Sequence, residues 1–301
     1  MGFMRWLLFA LFSLFAFAIS SLIDGLSIKK YIKNPKIYLF YSVFLQGVIG
    51  IFIFFFKEIN FYGYFFLLIS LVTGFFYVYG LIPYMKSLEF EEVSRIVPLF
   101  NLGPVFVLIF SLLVLDLKLS LFQYIGFFFL VTGSFLISLK KVSGFIKISK
   151  GFWYMMLTNL LLTGFFIGTD YLFKNYDYWS SFFFIQFGVL FSAMSLLVFK
   201  NYGQAGIKRF NYIGNTAKML VLFAAVISFI GIGVRNVAIR LSSATLVTSL
   251  GGFQSLFVFG ITLFLSIKLP YILKEETNKE IILLKTISIL LLIAGIYFVS
   301  I

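Results

Sequence analysis

A chain of 301 residues that is 61% hydrophobic and only 12% charged, with a mean hydropathy of +1.07, is not a soluble domain. It contains no Cys and no His, which excludes disulfides, thiol chemistry and the usual zinc sites. The net charge of +13 would point to nucleic acid in a soluble protein, but here the lysines fall in short breaks between apolar runs and anchor loops beside anionic lipid, so no nucleic-acid partner is expected.

The apolar runs are continuous, as helices crossing a hydrocarbon core of ~30 Å require, and do not alternate as β-barrel strands do. The expectation is an all-α integral membrane protein of ten transmembrane helices. In the first half the spans fall at about 4–23, 37–56, 61–84, 94–115 and 121–139. In the second they fall at about 152–173, 179–199, 218–239, 244–266 and 281–300. Trp6–Ile23 lacks a convincing small-residue cleavage site and precedes similar segments, so it reads as a retained helix. The basic stretch Lys140–Gly151 reads as the loop between the halves, 1–143 and 144–301.

Arg95 to Leu119 is the most informative run. It is apolar overall, yet Arg95, Pro98, Asn101, Gly103 and Pro104 crowd its first half. Two prolines and a glycine loosen a helix and free carbonyls, which suits a helix lining a polar cavity. Laying Ser94–Leu119 over Thr245–Pro270 without a gap sets Asn101 on Gly252, Gly103 on Gln254 and Pro104 on Ser255. The halves thus read as two repeats, the second carrying the extra stretch Leu273–Glu280. Five spans per repeat bring the second into the membrane from the opposite side, giving an inverted pair as in many secondary transporters.

The Ser87–Ile137 region resembles the EamA domain of the drug/metabolite transporter superfamily. That pattern has a Pro-Val pair in the fourth helix, a Leu-Gly-Glu turn, then Gln and Gly opening the fifth. Pro104-Val105, Gln123 and Gly126 fit it, whereas Asp116-Leu117 stands in place of Gly-Glu and Gln254-Ser255 in place of the second Pro-Val pair. The resemblance implies ten helices around a central cavity lined by the interrupted pair, with peripheral final helices that support a homodimer. It also implies both termini in the cytoplasm, whereas the excess of basic residues in the loops after odd-numbered spans places them outside.

No catalytic constellation is present: the eleven acids lie mostly in loops, and no phosphate-binding glycine loop carries a Walker lysine. The expectation is therefore no enzyme, no cofactor and no metal. Polar residues within spans are costly and become the functional candidates. For the substrate cavity these are Asn101, Gly103, Pro104, Gly251, Gly252, Gln254 and Ser255, joined by Asn159 and Tyr77. Asp24 and Arg95 fall at one membrane face and Asp170 and Arg235 at the other, so each couple reads as an ion pair gating one mouth. Gln46 and Gln186 read as hydrogen-bonding glue between helices. Glu89, Glu91 and Glu92 read as stabilising the start of the fourth helix, with Arg95 one turn on.

The resulting expectation is a multi-pass plasma-membrane protein whose partners are the lipid bilayer and a small-molecule substrate. It would carry small metabolites, amino acids or drugs by alternating access. The alternatives are a flippase for lipid-linked sugars or amphiphiles, and a membrane scaffold that moves nothing.

Overall fold

The computed structural model describes residues 2–32, 34–107, 110, 120–142, 145–199, 213–242, 244–268 and 279–300. The Asp116-Leu117 turn, Pro270 and most of the 273–280 insertion lie outside them.

Ten helical segments follow one another within the described residues. The first half gives α1 (Gly2–Leu26), α2 (Pro35–Ile51), α3 (Tyr64–Phe90), α4 (Val93–Val107) and α5 (Leu121–Ser138). The second gives α6 (Lys150–Asn175), α7 (Tyr178–Ser195), α8 (Asn215–Leu241), α9 in two pieces (Ala244–Ser249 and Gly251–Lys268) and α10 (Lys279–Ser300). The starts have local causes. Pro35 opens α2 while the Asn34 side chain accepts from the N–H groups of Lys36 and Ile37. Ser149 caps α6 and Asp177 caps α7 in the same way. The basic stretch expected as a plain loop between the halves folds instead as an antiparallel hairpin, β1 (Leu139–Val142) on β2 (Phe145–Ile148).

Five segments are long and apolar enough to cross a membrane: Arg5–Tyr31, Tyr64–Phe90, Lys150–Asn175, Tyr178–Val198 and Asn215–Leu241. The other five are shorter apolar helices. Large hydrophobic side chains face outward, with Phe56 79%, Tyr64 85% and Phe128 66% exposed. A protein in water hides such surface; lipid accepts it.

The packing pairs elements across the two halves. α1 lies against α8, and α6, its counterpart in the second half, lies against α3. α2 packs on α7, α5 on α10, and the middle of α4 on α9. The tightest contacts are at glycine. A Cβ on Gly74 of α3 would stand 2.4 Å from the Gly188 carbonyl carbon of α7, and one on Gly295 of α10 would stand 2.8 Å from the Gly126 carbonyl oxygen of α5. The last contact, with the small cluster of Leu130, Leu292 and Val105, shows that the glycines of the final helices are used inside the protomer.

Candidate substrate cavity

The site begins with a covalent constraint in α4. Pro104 has no N–H, so it cannot supply the donor that the Phe100 carbonyl would receive in an α-helix. The Gly103 N–H turns to Phe100 O instead, and Val97–Leu102 winds as a 3-10 helix. That shift passes Leu99 O from the Gly103 N–H to the i+3 donor of the tighter turn. Asn159 of α6 adds a side-chain donor: its Nδ2 donates to Leu99 O and to Met155 O, each at 2.8 Å. The loosened turn is thus braced by the protein itself.

α9 breaks differently. Its two pieces meet at a turn on Leu250, whose N–H donates to Val247 O while its carbonyl accepts from Phe253 N–H. The glycines that follow let α4 approach. A Cβ on Gly251 would lie 2.5 Å from Asn101 Oδ1, and Asn101 Nδ2 donates to Ser255 Oγ at 3.1 Å. Asn101 therefore clasps the two interrupted helices together.

Between the halves lies a cavity of about 140 Å³. One water needs roughly 10–15 Å³ on this measure, so the space suits a small organic molecule. Its wall comes from α1–α4 of the first half and from α6, α8 and α9 of the second. Of the residues singled out in the sequence, Gly103, Pro104, Gly251, Gln254, Asn159 and Tyr77 line it. Asn101, Gly252 and Ser255 are buried behind the wall and are not among its lining residues. The reason is the clasp, which turns Asn101 toward α9 and away from the lumen. Tyr77 donates to Gln46 Oε1 at 3.0 Å, so Gln46 ties α2 to α3 and lines the cavity as well.

The expected gates are rearranged. Asp24 and Arg235, assigned to opposite mouths, both line the cavity, whereas Arg95 and Asp170 do not. Asp170 and Arg235 do not pair. Asp170 accepts from Lys174 at 2.6 Å, one turn away on its own helix, and from the Ala244 N–H at the start of α9. Asp24 accepts from Tyr38 at 2.5 Å and from Tyr84 at 3.2 Å, one hydroxyl on each oxygen. Arg235 projects among phenylalanines, its Cζ 4.9 Å from the ring centre of Phe17, 5.3 Å from Phe165 and 5.1 Å from Phe166. Such contacts stabilise a desolvated guanidinium by about 2 kcal/mol at best, less than its burial costs without a hydrogen-bonding partner. Arg95 is buried on the first turn of α4. Of the neighbouring acids, Glu92 binds Lys285 of α10 at 2.8 Å and Glu89 binds Lys86.

Other cavity groups escaped the sequence reading. Ser20 of α1 and Ser228 of α8 meet at 2.6 Å, Gln254 reaches Ser21 at 3.4 Å, and Tyr84 holds Asp24. A lone serine in a span carries little signal, and Tyr84 sits among so many aromatics that composition hides it. A hydroxyl one turn from an in-span acid, as Ser20 is from Asp24, was the available hint.

Residues 3–139 match the family model described as the EamA-like transporter family. No curated protein matches the chain. Among 28 matching chains of solved structures, one crystal structure is similar over 99% of this chain and 95% of its own, at 13% identity and a TM-score of 0.61. That likeness is one of fold.

Proposed function

From the match of residues 3–139 to the EamA-like transporter family model we propose that the whole chain is a secondary transporter of small metabolites working by alternating access. The observation that carries the proposal is the cavity itself, walled by both interrupted helices and holding polar groups from both halves. Its ten helical segments are read as ten spans of a multi-pass plasma-membrane protein, in two inverted repeats meeting near the hairpin. The reciprocal packing of α1 on α8 and α3 on α6 supports that reading, because a two-fold relation between halves requires such exchange. Two mirror-related arrangements of one sequence plan then open the same cavity first to one side and next to the other.

The chain's own residues divide the work. The clasp of Asn101, Gly251 and Ser255 holds α4 to α9 and moves with them. Arg95 and Asp170 stay near the mouths. Asp24, Gln254, Tyr77 and Arg235 face the solute. The test is uptake or efflux of labelled solutes by vesicles containing the purified protein. Saturable flux that counterflow accelerates is the expected result. Vesicles that move no solute while lipid scrambles across them indicate a flippase, and no movement of either indicates a scaffold.

A further inference from the structure

The cavity holds two formal charges of opposite sign, and the protein treats them unequally. Asp24, the only acid among the described lining residues, has a tyrosine hydroxyl on each oxygen. Arg235 has no such complement. Its Nε and Nη2 are buried without a hydrogen-bond partner, and no carboxylate pairs with it among the described residues. Those two nitrogens share one edge of the guanidinium plane, the edge that grips both oxygens of a carboxylate. Phe17, Phe165 and Phe166 surround the group and limit how its plane can turn.

We infer that Arg235 is the receptor for a carboxylate on the carried molecule, so that this transporter selects soluble organic anions or zwitterions bearing an apolar body. The inference rests on the transport reading above and adds a substrate class to it. A buried charged donor edge with no internal acceptor is completed most simply by an acceptor from outside, and the surrounding rings favour an apolar portion beside it. Because the edge is covered by neighbouring side chains, a solute reaches it by displacing Phe17 or Phe166, which line the cavity and are only partly buried. Asp24, already satisfied, contributes shape and polarity to the opposite wall and is not the main anchor.

The experiment uses the full chain, purified and reconstituted, with three matched probes: phenylpropionate, its amide, and the corresponding primary amine. Binding is read by calorimetry in detergent, and exchange is read with labelled zwitterionic, neutral and cationic solutes in vesicles. The expected result is that the carboxylate binds more tightly than the amide by about tenfold or more, the loss set by one charge-assisted hydrogen bond. Arg235→Gln should erase that preference, and Arg235→Lys should restore part of it, since an ammonium keeps the charge but loses the fork. A melting curve for each variant separates lost recognition from lost fold. Equal binding of carboxylate and amide, no binding of any carboxylate, or an unchanged preference in a folded Arg235→Gln protein would overturn the inference. Scrambling of anionic lipid that depends on Arg235, without solute flux, would overturn it too, by assigning the fork to a lipid phosphate. Flux of neutral or cationic solutes in both wild type and Arg235→Gln would leave transport standing and remove only the carboxylate receptor.

Discussion

α4 and α9 occupy corresponding places in the two halves and both break near the cavity, yet by different means. In α4 the break is covalent: Pro104 removes a donor, the backbone tightens into Val97–Leu102, and Asn159 donates to Leu99 O within that turn. In α9 no proline enforces the break at Leu250, and the pair Gly251–Gly252 follows it. One helix thus brings a rigid kink and a side chain, Asn101; the other brings the gap that the side chain fills. Two helices in corresponding places need not share residues to share a break.

If α4 is the fixed member of the pair, its supports should be the costliest to remove. Lys285 of α10 donates to Glu92 Oε2 and to Ser94 Oγ, each at 2.8 Å, at the start of α4. Lys285→Met removes the ammonium from a buried pair and should cost about 3 kcal/mol, the low end for breaking such a pair because Glu92 keeps 19% exposure. Thermal unfolding in detergent measures it. A loss no larger than that of a surface lysine would show that α4 is held elsewhere.

Asn159→Ala comes next. It removes the side-chain hydrogen bond that ties α6 to Leu99 O and should cost about 1–1.5 kcal/mol. The covalent origin of the break gives a sharper check than the single variant. With Pro104→Ala, residue 104 regains its N–H, Gly103 can return to Leu99 O, and Asn159→Ala should then cost less than in wild type. Equal cost in both backgrounds would mean that proline is not what sets the turn that Asn159 braces.

Much of this was legible in the sequence, and the reasons for the limits are specific. Apolar run length placed the helical segments within the described residues, because burial in lipid demands continuous apolar stretches. The interruption in α4 was readable from Pro98, Gly103 and Pro104, since proline acts through its own covalent geometry wherever it stands. The side-chain partner of Leu99 O was not readable: Asn159 lies 60 positions away, and only packing brings it near. The same limit explains the gates. Topology could place Asp170 and Arg235 toward one face, but which way each points around its helix depends on neighbours, and Lys174 was closer to Asp170. Asn101 is unusual in so apolar a run, and its amide hydrogen-bonds to a neighbouring helix, a partner that the sequence does not name.

Gly251→Ala tests the gap. The added methyl would meet Asn101 Oδ1 at 2.5 Å, a contact that real atoms do not make. Overpacking of this kind costs about 1–3 kcal/mol. The obstruction is the end of a short side chain, not backbone, so the low end applies and Asn101→Ala in the same protein should relieve it. By contrast, Gly74→Ala pushes on the backbone of Gly188 and has no side chain to shorten. Rescue of the first by a second-site change and not of the other is the discriminating outcome; no rescue by Asn101→Ala would mean that α9 needs glycine there for its own backbone.

The smallest effect should come from the hydroxyl side of the clasp. Ser255→Ala deletes one interhelical hydrogen bond, and such bonds within membranes average ~0.6 kcal/mol. Asn101 Oδ1 already lacks a partner, so the variant leaves the whole amide unsatisfied and the penalty should sit above that average, near 1 kcal/mol. Asn101→Leu, which removes the polar group together with its need for a partner, should then be no worse than Ser255→Ala in stability. If the clasp also moves with α4 and α9 during transport, the two variants should part company in flux: losing the bond frees the helices from each other, whereas leucine wedges them against Gly251. Identical flux in two equally stable variants would reduce the clasp to packing alone.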